Sequence, residues 1–231
     1  MSATTIYSDA SDGYFLTGLG SWSSRRSLTS SAVTSDTVAS NFRPVGVTKG
    51  GGVRRRIQRS FFEFDTSSIT TPVSSASFSF LCTALLSSSD MIVVRSEQSN
   101  PLVADDFDSL YNSSTELENS DGSGSGTLAS VSGLTYSSSF TPTIISGETQ
   151  QQQSITLNST CLSDIQSLDT LKICAMNYSF DYLDISPSST RRIGLAFEEF
   201  TNSSGNRRND PQLIITLAPS TNNAVLFGTN F

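Results

Sequence analysis

Short stretches in which every second residue is apolar recur along this chain, separated by clusters of serine, glycine, asparagine and proline. A side-chain period of two, bounded by turn formers, is the mark of strands that bury one face. The cleanest run is predicted over residues 73–85. Ala76, Phe78, Phe80, Cys82 and Ala84 share one face, and Ser75, Ser77 and Ser79 the other, so one side is core and the other wet, at least over its first half. Two further ribbons stand far apart in the chain. Residues 59–69 carry Phe62 and Phe64 on one face with Glu63 between them, and residues 209–217 carry Leu213, Ile215 and Leu217 with Gln212 and Thr216 opposed. These ribbons pair, or lie near each other, in one sandwich that the last strand closes.

The same pattern places the remaining strands at residues 4–7, 42–47, 53–64, 91–95, 154–157, 171–178 and 191–200. Helix is scarce. Residues 105–111 make one or two turns with Leu110 and Tyr111 turned inward, and Asn158 or Ser159 caps a second helix through Cys161, Leu162, Ile165 and Leu168. Residues 119–126 read as a flexible loop, and residues 137–140 and 150–153 as polar connectors. The expected fold is all-β: an antiparallel two-sheet β-sandwich or jelly roll with one or two short helices in its connections. Residues 1–217 form a single domain. Residues 218–231 form an apolar tail whose Val225, Leu226, Phe227 and Phe231 either fold back on the sandwich or dock on a neighbouring subunit.

Composition changes this picture in one respect. Of 231 residues, 36% are apolar and 15% charged, both below globular averages, and hydroxyl and amide residues make up the difference. The surface is therefore hydroxyl-rich and sparsely charged. A formal net charge of −7 opposes a general nucleic-acid binder, which needs clustered Lys and Arg against phosphate. The run Arg54-Arg55-Arg56 is the local exception, read as a solvated edge or a partner's salt bridge in preference to a phosphate site. The amino terminus lacks the basic start and apolar run of a secretory signal, and no segment resembles a membrane span. Production in a cytosol without membrane insertion is expected. Cys82, Cys161 and Cys174 are odd in number, and buried free thiols are the favoured reading.

Candidate chemistry is limited by the absence of histidine. Ser-His-Asp and Cys-His arrangements and histidine zinc sites are excluded. Carboxylates remain at Asp105, Asp106, Asp108, Asp181, Asp184, Glu198 and Glu199, yet a glycosidase needs two of them facing each other at about 5 to 10 Å, and acidic clusters in loops are usually solvated. The expectation is a protein that is not an enzyme. Asp9-x-x-Asp12-Gly13 offers two oxygen ligands to calcium, or is a plain Asp-Gly turn. The rings that could face a sugar are Trp22, Tyr14, Tyr111, Tyr136, Tyr178 and Tyr182. Trp22 sits in a polar, irregular setting, and Tyr178 and Tyr182 flank Asp181 in a loop, so these three are the glycan-binding candidates against the plainer reading as core or loop cover.

The order Arg59-x-Phe61-Phe62-x-Phe64-Asp65-x-Ser67-x-Ile69, then Ala76-x-Phe78-x-Phe80, then Asn209-Asp210-Pro211-x-Leu213-x-Ile215 resembles the DNRLRE-type, carbohydrate-module-like β-sandwich. It is similar in particular to versions found as virion structural proteins of tailed phages. The likeness spans about residues 5–217. It implies framework roles for Arg59 and Asp65, for the core positions Phe62, Phe64, Phe78, Phe80, Leu213 and Ile215, and for Pro211 at the start of the closing strand. It also implies a structural calcium near a chain end, for which Asp9 and Asp12 are the candidate ligands. The function expected is a non-enzymatic virion protein assembled in the host cytoplasm and displayed as a capsid decoration or a tail or fibre component. Its partners would be other virion proteins, further copies of itself and host surface polysaccharide. The alternatives are a free-standing carbohydrate-binding module and a hydrolase that works with carboxylates alone.

Overall fold

β6 (Val73–Leu86) is the longest strand and the hub of the architecture. Ser77 lies opposite both Ile214 and Thr156, and Cys82 opposite both Leu195 and Gln151. One edge of β6 is therefore shared by β11 (Gln212–Leu217) and then β10 (Arg191–Leu195), while β8 (Gln151–Thr156) takes the other edge. β1 (Ala3–Tyr7) continues this layer on the far side of β11. The computed structural model describes residues 2–9, 12–29, 33–35, 45–111, 127–197 and 210–219.

The second layer is organised on β5 (Arg55–Asp65). Gln58 lies opposite both Gly46 and Leu16, and Ser60 opposite both Ala175 and Tyr14. Along one edge β5 thus passes from β4 (Val45–Lys49) to β9 (Thr170–Asn177), and β2 (Gly13–Leu16) runs along the other, followed by β3 (Val33–Ser35). β7 (Met91–Arg95) lies beyond β9. β10 pairs with both β6 and β4, which joins the two layers. Gly46 makes that junction possible. Its φ is +145°, and a Cβ there would stand 2.1 Å from the Arg191 carbonyl oxygen, so any side chain would push β10 off β4.

The fold is an antiparallel all-β sandwich with short helices in its connections, as the hydrophobic pattern predicts. Its inner core lies between the layers, where Phe78 meets Phe62 at 5.2 Å, Phe80 at 5.5 Å and Phe64 at 6.2 Å between ring centroids. Leu213 and Ile215 enter it from β11. The ribbons at 59–69 and 209–217 are near each other but do not pair, because β11 bonds to β1 and β6 and faces β5 only through this core. Each fully buried Phe contributes about 1.5 to 3 kcal/mol through the apolar area it removes from water.

A second core covers the outer face of the second layer. Phe15, Ile57, Phe61, Val94, Cys174 and Met176 project there. They are roofed by Phe107 of a 3-10 helix (Ala104–Asp108), by Leu128 and Leu134 in the following connection, and by Tyr182. This layer is therefore buried on both faces, which explains why β7 and most of β9 are continuously buried, without alternation.

Three connections depart from expectation. Of residues 150–153, read as a connector, Gln151–Gln153 belong to β8, where Gln152 Nε2 donates to Ser79 Oγ at 2.9 Å and Gln153 Nε2 to the Thr143 carbonyl at 2.8 Å. β2 was not foreseen. The arginine run does not lie on an edge: Arg55 and Arg56 open β5, a strand paired on both sides, and Arg54 stands in the turn before it. The second predicted helix is α2 (Ser159–Ser167), capped by the Asn158 side chain on the Cys161 amide. The tail residues Val225, Leu226, Phe227 and Phe231, the loop at 119–126, and Glu198 and Glu199 lie outside the described residues.

Candidate functional site

Trp22, Tyr178 and Tyr182, drawn from opposite ends of the sequence, come together over the second core. Trp22 opens α1 (Trp22–Arg26), a short helix whose start is held by the Ser21 side chain accepting from the Ser24 amide at 3.3 Å. Tyr178 and Tyr182 do not lie in an open loop. They bound a single π-helical turn (Tyr178–Tyr182) that follows β9, with Asn177 capping it through the Phe180 amide at 2.9 Å. Their rings stack at 5.6 Å and 20°. Tyr182 is buried, and Trp22 and Tyr178 are half-buried.

Beneath the rings is a charge network. Asp181 is fully buried on the π turn. Arg59 reaches it from β5 in a two-pronged bond, Nε to Oδ2 at 2.8 Å and Nη2 to Oδ1 at 2.9 Å. The third arm of Arg59, Nη1, donates to the Phe107 carbonyl at 2.9 Å, and its guanidinium lies 4.5 Å from the centre of the Phe107 ring. Arg26 joins from α1, giving Nη1 to Asp181 Oδ1 at 2.8 Å and Nε to Asp184 Oδ1 at 3.1 Å. Trp22 Nε1 completes the set on Asp184 Oδ1 at 2.9 Å. Burial by itself would raise the Asp181 carboxyl, but the Arg59 and Arg26 guanidiniums hold it below the usual carboxylate range. Burial opposes the Arg59 charge in the same way, and Asp181 outweighs it, so Arg59 is raised.

Arg26 is the member that sequence reasoning missed. A five-residue helix gives little periodicity, and its only sign is the capping serine at position 21 before a polar turn ending in two arginines. Of the residues given framework roles, Arg59 is bonded as described above, and Phe62, Phe64, Phe78 and Phe80 are all buried in the inner core. Asp65 is exposed and caps the turn after β5 by accepting from the Ser67 amide and hydroxyl, which lowers its carboxyl. Pro211 precedes β11, and its carbonyl accepts from the Ser8 amide at 3.0 Å.

The other candidates are dispersed. Asp9 and Asp12 form a turn, Asp12 amide to Asp9 carbonyl at 3.1 Å, and Asp12 is buried with Oδ1 accepting from the Glu63 amide. Among the described residues no group of three Asp, Glu, Cys or His side chains is placed to hold a metal ion. Asp106 is not solvated as its loop setting suggested. It is buried and ties its connection together, accepting from the Ser99 and Val103 amides at 2.9 Å each. Tyr14 and Tyr136 are buried, and Tyr111 lies flat under the Arg95 guanidinium at 3.8 Å. Cys82, Cys161 and Cys174 are free and buried, and burial pushes the Cys82 thiol up to about 11.

One small cleft opens elsewhere, about 240 Å³ in volume and lined by Arg95, Glu97, Tyr136, Thr170 and Lys172 among others. Its cations are committed. Arg95 and the Tyr136 hydroxyl both donate to Asp164 Oδ2, at 3.0 and 2.6 Å, and Lys172 donates to the Gln98 carbonyl at 2.7 Å. The volume falls below the roughly 300 to 1,000 Å³ of typical ligand pockets.

No protein-family model matches the chain, and no curated protein does. Among the described residues no helix is long and apolar enough to cross a membrane.

Proposed function

We propose that this chain is a non-enzymatic structural protein of a phage virion, displayed on the particle surface as a capsid decoration or a tail or fibre component and contacting host surface glycans. The observation that carries the reading is the use made of the polar groups over the second core. Arg59, Asp181, Arg26, Asp184 and Trp22 bond to one another across strand, helix and π turn. A carboxylate kept ionised between two guanidiniums braces a roof; it is poorly suited to give or take a proton near neutral pH. Further support comes from the hydroxyl-rich, sparsely charged surface and from the resemblance carried by residues 59–69, 76–80 and 209–215.

The test is biochemical. Purified particles should contain the chain in stable, stoichiometric amounts, and an image of the intact particle should show the sandwich on its outside; particles free of it refute the proposal. The stacked Tyr178–Tyr182 pair beside Trp22 favours a second reading, a free-standing carbohydrate-binding module. Saturable binding of a polysaccharide by the isolated chain, with a change in Trp22 fluorescence and no association with particles, would select it. Release of sugars from a polysaccharide, lost on Asp184→Asn, would instead establish a carboxylate hydrolase.

A further inference from the structure

Charge is divided between the two ends of β5. Among the described cations, Arg26, Arg59, Arg95 and Lys172 are paired with carboxylates. Lys49, Arg54, Arg55, Arg56 and Arg191 gather at the end where β5 begins. Lys49 lies directly opposite Arg55 across the β4–β5 ladder, and Arg191 lies opposite Val47 on the other edge of β4. Opposed positions and positions two apart share a face of the pleat, so Lys49, Arg55 and Arg191 stand on one side and Arg56 on the other. Arg54 is exposed in the turn beside them. The Arg25 guanidinium lies over Gly20, whose amide and carbonyl bond to the Arg55 backbone at 3.0 and 2.6 Å. In the middle of these cations Val53 is 74% exposed. The carboxylates that α1 faces, Asp181 and Asp184, are already engaged by Arg59 and Arg26.

The end where β5 finishes has the opposite sign. Asp65 and Asp169 are both exposed and adjacent, since the Thr66 amide donates to the Asp169 carbonyl at 2.9 Å. Asp9, exposed, is bonded through its amide to the Glu63 carbonyl, and Glu97 is exposed on the connection after β7. Lys172 and Arg95, the cations nearby, are held by Glu63 and Asp164. Ten steps of strand separate Arg55 from Asp65, roughly 33 Å at 3.3 Å per residue.

We propose that copies of this chain associate end to end, the basic β4–β5 hairpin of one seated on the acidic end of the next. The net charge of −7 makes two copies repel in most orientations, and the head-to-tail arrangement is the one that brings opposite potentials together. Such a contact uses two different surfaces, so it builds a ring or an open row and not a two-fold dimer. Lys49 and Arg54 on one end and Asp65, Glu97 and Asp169 on the other are exposed, so salt weakens it. The inference does not depend on the virion reading, because it concerns the purified chain in solution.

Sedimentation of the full chain tests it. At low salt the mean sedimentation coefficient should rise with concentration, and at high salt it should return to that of a monomer. Lys49→Ser with Arg54→Ser, and separately Glu97→Gln with Asp169→Asn, should each weaken association by roughly an order of magnitude while leaving thermal unfolding near wild type, because these side chains are exposed. An equimolar mixture of the two variants should give dimers and nothing larger, since it retains one intact pair of ends. A wild type that stays monomeric, association indifferent to salt, or variants that assemble as well as the parent would overturn the proposal. So would a monomeric chain whose basic end instead captures DNA or a sulfated polysaccharide, lost on Lys49→Ser with Arg54→Ser.

Discussion

The two faces of the β5–β9–β7 layer are buried by different physics. The inner face meets the other layer through Phe62, Phe64, Phe78 and Phe80, a cluster with no polar member at its centre. The outer face also carries aromatics, Phe15 against Phe61 at 5.2 Å and against Phe107 at 6.0 Å, but it encloses an ionised network. Apolar burial is non-directional and scales with area, so the inner core depends on volume. A buried ion pair is directional and costly to desolvate, so the outer core depends on partners. One half of the molecule is held by shape and the other by stoichiometry of charge.

The largest effect expected from breaking this contrast is in the inner core. Phe78→Asp places an unpaired charge among three rings and should abolish the cooperative unfolding transition, while Phe78→Ala should cost about 3 to 5 kcal/mol in urea unfolding. In the outer core Arg59→Met, which leaves Asp181 buried and partly unpaired, should cost about 3 to 5 kcal/mol. The distinguishing measurement is the double substitution Arg59→Met with Asp181→Leu. It should cost less than the sum of the single changes by about 0.5 to 3 kcal/mol, whereas Phe78→Ala combined with Arg59→Met should be close to additive. Strict additivity within the ion pair would remove the distinction between the cores.

Acidity should separate the two cores as well. The Asp181 carboxyl is depressed in the folded protein, so the folded state binds this proton less readily than the unfolded chain. Its stabilisation is complete above the unfolded carboxylate value of about 3.9 and is lost as pH falls below that toward the native value. Acid unfolding of the parent should therefore be steeper in that window than that of Arg59→Met with Asp181→Leu, as read by near-UV circular dichroism. The smallest effect expected is that of Trp22→Phe, which keeps the ring over the second core and removes the bond to Asp184. It should cost about 1 kcal/mol, read as a small fall in the urea midpoint.

The inner core was open to a reading of the chain because its cause is local. Alternation over residues 73–85 announces which face of β6 is buried, and Asn158 announces the start of α2 before Cys161 and Ile165 turn inward. Only the second half of β8 was legible in the same way, because Gln151, Gln152 and Gln153 carry no apolar period; they extend as a strand because β6 offers an unpaired edge and Ser79 a partner. β2 was hidden by its length, four residues without a polar alternate. Asp181 looked like a solvated acid because the donors that bury it come from elsewhere in the chain, whereas Asp106 is bonded by amides three and seven residues before it, a local turn that no apolar period announces.

Period and turn formers are properties of neighbours along the chain, and from them follow an all-β body and the identity of its inner aromatic face. Which strands pair, that one layer is covered twice, and that Arg59 of β5, Arg26 of α1 and Asp181 of the π turn meet at one point are properties of residues 122 and more positions apart in some pairs. A cation and a carboxylate carry no mark in the sequence of the partner that will desolvate them. Only the closing of the sandwich, by bringing both into the same small volume away from water, decides that they form a brace and not a pair of solvated charges.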